Sequence, residues 1–154
     1  MIEIHWKIKS FNQLYTDELY ELLKLRVDVF VVEQNCPYPE IDGKDRHPKT
    51  LHLSGKEKDG ALIAYLRILP PGLSFTEVSI GRVVVAKESR GEGISDTLLK
   101  NALDQIHQVW PGKNIRIGAQ VYLKKFYESH GFEAISKSYL EDGIPHIDMI
   151  RRYF

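Results

Sequence analysis

One stretch constrains this chain of 154 residues more than any other: Arg82-Val83-Val84-Val85-Ala86, then Lys87-Glu88-Ser89-Arg90-Gly91-Glu92-Gly93, then Ile94-Ser95. The three consecutive valines read as a strand covered on both faces. From Ile94 the apolar period changes. Ile94, Leu98, Ala102 and Ile106 step by four, with Leu99 and Leu103 widening the stripe, until Pro111-Gly112 ends the helix. A strand that turns through a glycine-bearing loop into a helix leaves main-chain N–H groups unpaired at a positive helix end. Such an end suits a pyrophosphate where glycines, here Gly91 and Gly93, let the backbone come close.

Two nucleotide loops do not fit. The dinucleotide fingerprint needs a third glycine, which would fall at Asp96, where a carboxylate would oppose the phosphates. No Gly-Lys-Ser/Thr closes the turn, as the phosphate loop of nucleotide hydrolases requires. The loop is then either a tight strand-to-helix connection or a phosphate loop of another kind.

Around this junction the pattern predicts an opening strand in EIHWKIK and a helix capped by Thr16, with Asp17 and Glu18 in its first turn and Leu19, Leu22, Leu23, Arg26 and Phe30 at helical spacing. Strands are expected over residues 51–56, 61–69, 78–86 and 115–120. A short helix carries Leu123, Phe126, Tyr127 and His130 on one face and ends at Gly131. Two last strands, 132–138 and 146–153, flank a Glu141-Asp142-Gly143 turn. This order argues for an α/β chain of the α+β kind, a mixed sheet with helices on both faces, in one domain over residues 1–154.

Charge and cysteine content narrow the function. Lys plus Arg and Asp plus Glu both total 21, so the net charge is zero and no basic stripe suggests nucleic acid or a membrane as partner. Cys36 stands alone, so no intrachain disulfide forms. The histidines, at 5, 47, 52, 107, 130 and 146, lack zinc-site spacing, so no metal is expected. The Met1 end leads into polar sequence without a signal-like apolar run, which makes the cytoplasm the expected location.

Arg90-Gly91-Glu92-Gly93-Ile94-Ser95 resembles the Gln/Arg-x-x-Gly-x-Gly/Ala acyl-CoA loop of the GNAT superfamily of N-acetyltransferases, with Ser95 in place of the last Gly or Ala. The resemblance covers essentially the whole chain. It is closest to the ElaA-like branch through LKLRVDVFVVEQNCPYPEIDG, ALIAYLRIL, IGRVVV, IGAQVYLKKFYESHGF and EDGIPHIDM. It implies a central mixed sheet of about six to seven strands whose fourth and fifth strands splay apart, here residues 82–86 and 115–120, with pantetheine in the gap. Acetyl-CoA as co-substrate is then expected against Val83, Val84, Val85, Arg90, Gly91, Glu92, Gly93, Ile94, Ser95 and Gln120. The other partner would be a small-molecule or peptide amine, with the oligomeric state, a homodimer included, left open.

Acyl transfer to an amine needs a base for the amine, a donor to the oxyanion and a proton for the thiolate. The resemblance implies a main-chain N–H around Val84 for the oxyanion and Tyr127 as general acid, although Tyr127 also fits a core aromatic on a helix face. Candidate bases are Glu33, ranked first, and His146 with Asp148 on one face of the last strand; a water chain could replace them. Arg26, Arg67 and Arg82 interrupt apolar patterns. They are expected either to form structural ion pairs with Glu33, Glu77 or Asp148, or to bind a carboxylate on the acceptor. The expected activity is direct acetyl transfer in a ternary complex. The alternative is a non-catalytic acyl-CoA sensor that keeps the loop.

Overall fold

The computed structural model describes residues 3–153. β1 (Ile4–Ser10) leads into α1 (Thr16–Arg26), followed by β2 (Leu51–Glu57), β3 (Leu62–Leu69), β4 (Ser79–Val85), α2 (Ile94–Val109), β5 (Ile115–Gln120), α3 (Lys124–Glu128), β6 (Glu133–Ala134), β7 (Tyr139–Glu141) and β8 (Ile144–Arg151). β1 to β4 pair antiparallel in chain order, and β8 is the centre of a second group, with β5 and β6 beside it and β7 folded back onto it. The two groups meet where Val78 bridges Ile115 in parallel and the Arg116 N–H donates to the Val78 carbonyl at 2.9 Å. This is the mixed sheet the strand order implies.

Side-chain alternation places a helix on each face. Ala64, Leu66 and Ile68 of β3 face the cluster built with Leu98, Leu99, Ala102 and Ile106 of α2. Tyr65, between them, faces the cluster of Leu22, Val29 and Val84 under α1. Leu98 and Leu99 are fully buried, so truncating either to Ala would cost about 2–5 kcal/mol. On the outer strands Gly55 is required by contact rather than conformation: a Cβ there would sit 2.7 Å from the Trp6 ring.

The structure departs from the sequence expectation in three places. Thr16 is the first helical residue and does not cap; Tyr15 holds the cap position, and its N–H donates to the Glu18 carboxylate at 2.9 Å. Beyond Arg26 the chain coils more widely, in a seven-residue π-helix over Val27–Glu33. There the Gln34 N–H reaches the Val29 carbonyl and the Cys36 N–H the Val31 carbonyl, each at 3.0 Å. The strand expected over 132–138 is only Glu133–Ala134, and the turn belongs to the β7–β8 hairpin, where Glu141 pairs Ile144. Asp142 and Gly143 both take positive φ, 50° and 78°, as a two-residue hairpin turn requires.

Candidate acyl-CoA site

β4 and β5 touch at their amino ends through Val78 and Ile115, then diverge, leaving a cleft of about 500 Å³ between residues 80–85 and 117–120. Within the diverging stretch β4 carries a bulge. Tyr65 pairs Val84 and Arg67 pairs Gly81, so Arg82 and Val83 together oppose Leu66 alone. Arg82 has φ 53°, in the left-handed region that glycine usually occupies in such a bulge.

Main-chain polarity along β4 follows from one bond. The Ala86 N–H donates to the Ile63 carbonyl at 2.8 Å. In an antiparallel ladder bonded pairs alternate, so the next bonded pair toward the bulge is Val84 with Tyr65. Val84 therefore turns its N–H toward β3, so an oxyanion donor around Val84 is not the N–H of Val84 itself. Val85, lying between, turns its polar groups outward, and its carbonyl accepts from Arg90 Nε at 3.0 Å.

At the carboxyl end of β4 the loop enters α2. Gly91 and Gly93 have φ 87° and 75°, and Gly93 is the helix N-cap residue with no side chain to satisfy the N–H groups that follow. A Cβ on either glycine meets nothing within 4 Å, so conformation and not space requires them. Arg90 and Ser95 line the cleft. Gly91, Glu92 and Gly93 are exposed, and Ile94 turns its side chain into the core.

The π-helical segment crosses this cleft. Glu33 forks with Arg90, Oε2 to Nη1 at 2.6 Å and Oε1 to Nη2 at 3.0 Å. The side-chain amides of Gln34 and Gln120 exchange hydrogen bonds, the Gln120 Nε2–H donating to Gln34 Oε1 at 3.4 Å and the Gln34 Nε2–H to Gln120 Oε1 at 3.5 Å, and Cys36 Sγ lies 3.4 Å from the Asp142 carbonyl. The segment thus ties together the glycine loop, the end of β5 and the β7–β8 turn. The hydrogen bonds of Arg90 lower the Glu33 pKa against a smaller opposing effect of burial.

Tyr127 lies at the cleft wall with its ring edge-on to Phe126 and Phe132, centroids 5.1 and 5.8 Å away. Burial pushes its phenol up, so it keeps its proton at neutral pH. The hydroxyl has no protein hydrogen-bond partner among the described residues, yet it is not sealed from solvent. His146 also lines the cleft; its Nδ1–H donates to the Ile144 carbonyl at 2.7 Å, while Nε2 lies 3.5 Å from Glu141. Asp148 is taken up by Arg116 at 2.8 Å and the Tyr139 hydroxyl at 2.5 Å and does not line the cleft.

The three arginines form structural ion pairs, but their partners correct the expected set of Glu33, Glu77 and Asp148. Arg26, fully buried, donates to Glu40 at 2.6 Å and Asp45 at 2.7 Å. Arg67 donates to Asp42 at 2.6 and 2.9 Å and to Asp45 at 3.1 Å. Arg82 donates to the Glu40 carboxylate at 2.7 Å and its carbonyl at 3.0 Å, and the Tyr38 hydroxyl donates to the same carboxylate. Three cations thus face three carboxylates, and truncating Arg26 would strand buried charge at a cost of about 3–5 kcal/mol. Glu40, Asp42 and Asp45 escaped the sequence reading. Their signal was a dense acidic run, EIDGKD, in a chain with arginines inside apolar patterns.

Against this geometry, a family model for the Acetyltransferase (GNAT) domain matches residues 31–152. The chain belongs to the GNAT family. GNAT proteins are acyltransferases that use acyl-CoA, and this member is 44% identical to Protein ElaA of Escherichia coli (strain K12) over 148 residues, 96% of each chain. Among solved GNAT-fold structures, an acyl-CoA N-acyltransferase from Pseudomonas aeruginosa superposes with TM-score 0.92 at 44% identity, covering 97% of this chain and 99% of that one. The Escherichia coli ElaA structure gives TM-score 0.92 at 43% identity, covering 97% and 100%. Among the described residues of this GNAT chain, no group of three or more His, Cys, Asp or Glu could hold a metal ion, and no helix is long and apolar enough to cross a membrane.

Proposed function

We propose that this protein transfers an acetyl group from acetyl-CoA to the primary amine of a small molecule or peptide, by direct attack in a ternary complex in the cytoplasm. One observation carries the reading: the open cleft between β4 and β5 runs from the glycine-capped start of α2 to the unpaired Tyr127 hydroxyl. Pyrophosphate lies against the N–H groups that follow Gly93, and pantetheine lies along the outward-facing main chain at Val85. The amine nitrogen attacks the thioester carbonyl, the C–S bond breaks, and the leaving sulfur takes its proton from Tyr127 while the amine gives one up.

His146 is the better-placed base. Its Nδ1–H is fixed by a carbonyl, which leaves the Nε2 lone pair, 3.5 Å from Glu141, to take a proton, whereas Arg90 holds Glu33 ionised and weakly basic. The oxyanion donor is a main-chain N–H of the bulged Arg82-Val83 segment. Calorimetry with acetyl-CoA, CoA and NADH tests the first half of this reading, and acceptor-dependent thiol release tests the second. Micromolar acetyl-CoA binding without NADH binding is expected; a folded protein that ignores CoA would end the proposal, and binding without turnover across a broad amine screen would leave an acyl-CoA sensor.

A further inference from the structure

The bulge in β4 asks one residue to take a left-handed conformation, and that residue is an arginine. Side chains other than glycine resist this region because Cβ crowds the main chain, so an arginine persists there only where its surroundings overdetermine it. The neighbouring Gly81 could have taken the strained position without penalty, yet its φ is not positive. Something at Arg82 therefore outweighs the strain.

The holding contacts are explicit. Nε of Arg82 meets Glu40 Oε2 at 2.7 Å, Nη2 meets the Glu40 carbonyl at 3.0 Å and Asp42 Oδ2 at 3.5 Å, and the guanidinium lies 5.5 Å from the centre of the Tyr38 ring. Glu40 is held independently of Arg82, because Arg26 donates to the same oxygen at 2.6 Å within a buried pair. The anchor is rigid, and the strand bends to it.

We infer that Arg82 is a positioning residue: clamped by Glu40, it holds β4 in the left-handed kink that opens the cleft against β5 and exposes the bulged main chain to the acyl-CoA. The inference rests on the acyl-CoA reading of the cleft, but the kink itself is measurable without it. It also separates the side chain from ligand contact, since glycine at this position would keep the kink without any anchor.

Arg82→Ala and Arg82→Gly make the test, read by CoA calorimetry and by a crystal structure of each variant. The Ala variant keeps the strain and loses the clamp, so its strand should relax to two-for-two pairing and its CoA dissociation constant should rise at least tenfold. The Gly variant should keep positive φ at residue 82 and bind CoA within threefold of wild type. Both should melt below wild type, which separates positioning from plain stability. Equal CoA affinity in the two variants would overturn the inference, whether both are weak or both normal. If wild type does not bind CoA, the functional reading falls alone, and the kink decides: an unchanged bulge in Arg82→Ala overturns the clamp, and a relaxed one supports it. If the Ala variant does not fold, Arg82→Lys keeps the charge but not the two-pronged hold; at least threefold weaker CoA binding is expected, and wild-type affinity with an unchanged bulge would count against the clamp.

Discussion

Glu33 and Arg90, 57 residues apart, form a two-pronged ion pair at 2.6 and 3.0 Å that joins the end of the π-helical segment to the glycine loop. Arg90 also donates to the Val85 carbonyl at 3.0 Å, so one guanidinium braces strand, loop and segment together.

That pairing sets the expected behaviour of Glu33→Gln. A carboxylate held below its usual range by an arginine is a poor proton acceptor near neutrality. Turnover should therefore fall by less than about tenfold, against the ~10²-fold or greater loss that removal of a general base produces. The acid limb of the pH–rate profile should stay in place. A loss of several hundredfold, with that limb abolished, would return Glu33 to the role of base.

Gly91→Ala and Gly93→Ala probe the loop where it meets α2. The space beside both residues is open, so the expected cost comes from positive φ alone, about 1–2 kcal/mol each. Thermal unfolding measures that cost and calorimetry the weakening of CoA binding. Gly93→Ala should weaken binding more, because Gly93 is the cap residue ahead of the free N–H groups of the helix. Unchanged CoA affinity in both variants would remove the loop from the binding site.

These positions were legible before the fold was known because their signals are local. The α2 stripe, the bounds of β5 and the glycines at a strand-to-helix turn depend on neighbours a few residues away. The partners of the buried arginines were not legible, since Arg26, Arg67 and Arg82 reach carboxylates 14 to 42 residues distant, and sequence periodicity holds no term for such pairing. The π-helix was hidden for another reason. Its apolar residues mimic α spacing, while the wider coil is set by where Glu33, Gln34 and Cys36 find partners across the cleft.

The carboxylates of the buried network should make the fold acid-sensitive. Burial raises both Asp42 and Asp45, but Arg67 on Asp42 and Arg26 with Arg67 on Asp45 more than offset it, so both titrate below their usual range. A group whose folded pKa is depressed contributes stability that is present above its unfolded pKa, about 3.9 for Asp, and is lost as pH falls toward the folded value. His52 adds to this from a higher pH. Burial lowers its pKa, and as a neutral ring it donates from Nε2 to the Asp45 carbonyl at 3.0 Å and accepts the Tyr65 hydroxyl at Nδ1, 2.7 Å away. Melting temperature should begin to drop below about pH 6.5 and fall steeply below about pH 4. His52→Asn should flatten the first part and Asp42→Asn the second. A melting temperature constant from pH 7 to pH 3 would contradict the network.

Tyr127→Phe is the most direct test of the chemistry, because the variant removes one oxygen and little else. The ring keeps its edge contacts with Phe126 and Phe132, and its hydroxyl has no protein partner to strand among the described residues. Stability should therefore change by less than about 1 kcal/mol. If the phenol supplies the proton that the sulfur takes, kcat should fall by about 10²-fold or more while the KM for acyl-CoA stays near that of wild type. The raised pKa sharpens the expectation: the phenol stays protonated through neutral pH, so the wild-type rate should show no alkaline limb below about pH 10, the ordinary tyrosine value. Thiol release followed against pH in both proteins reads all of this together. A variant as fast as wild type would make Tyr127 a core aromatic and send the proton through solvent.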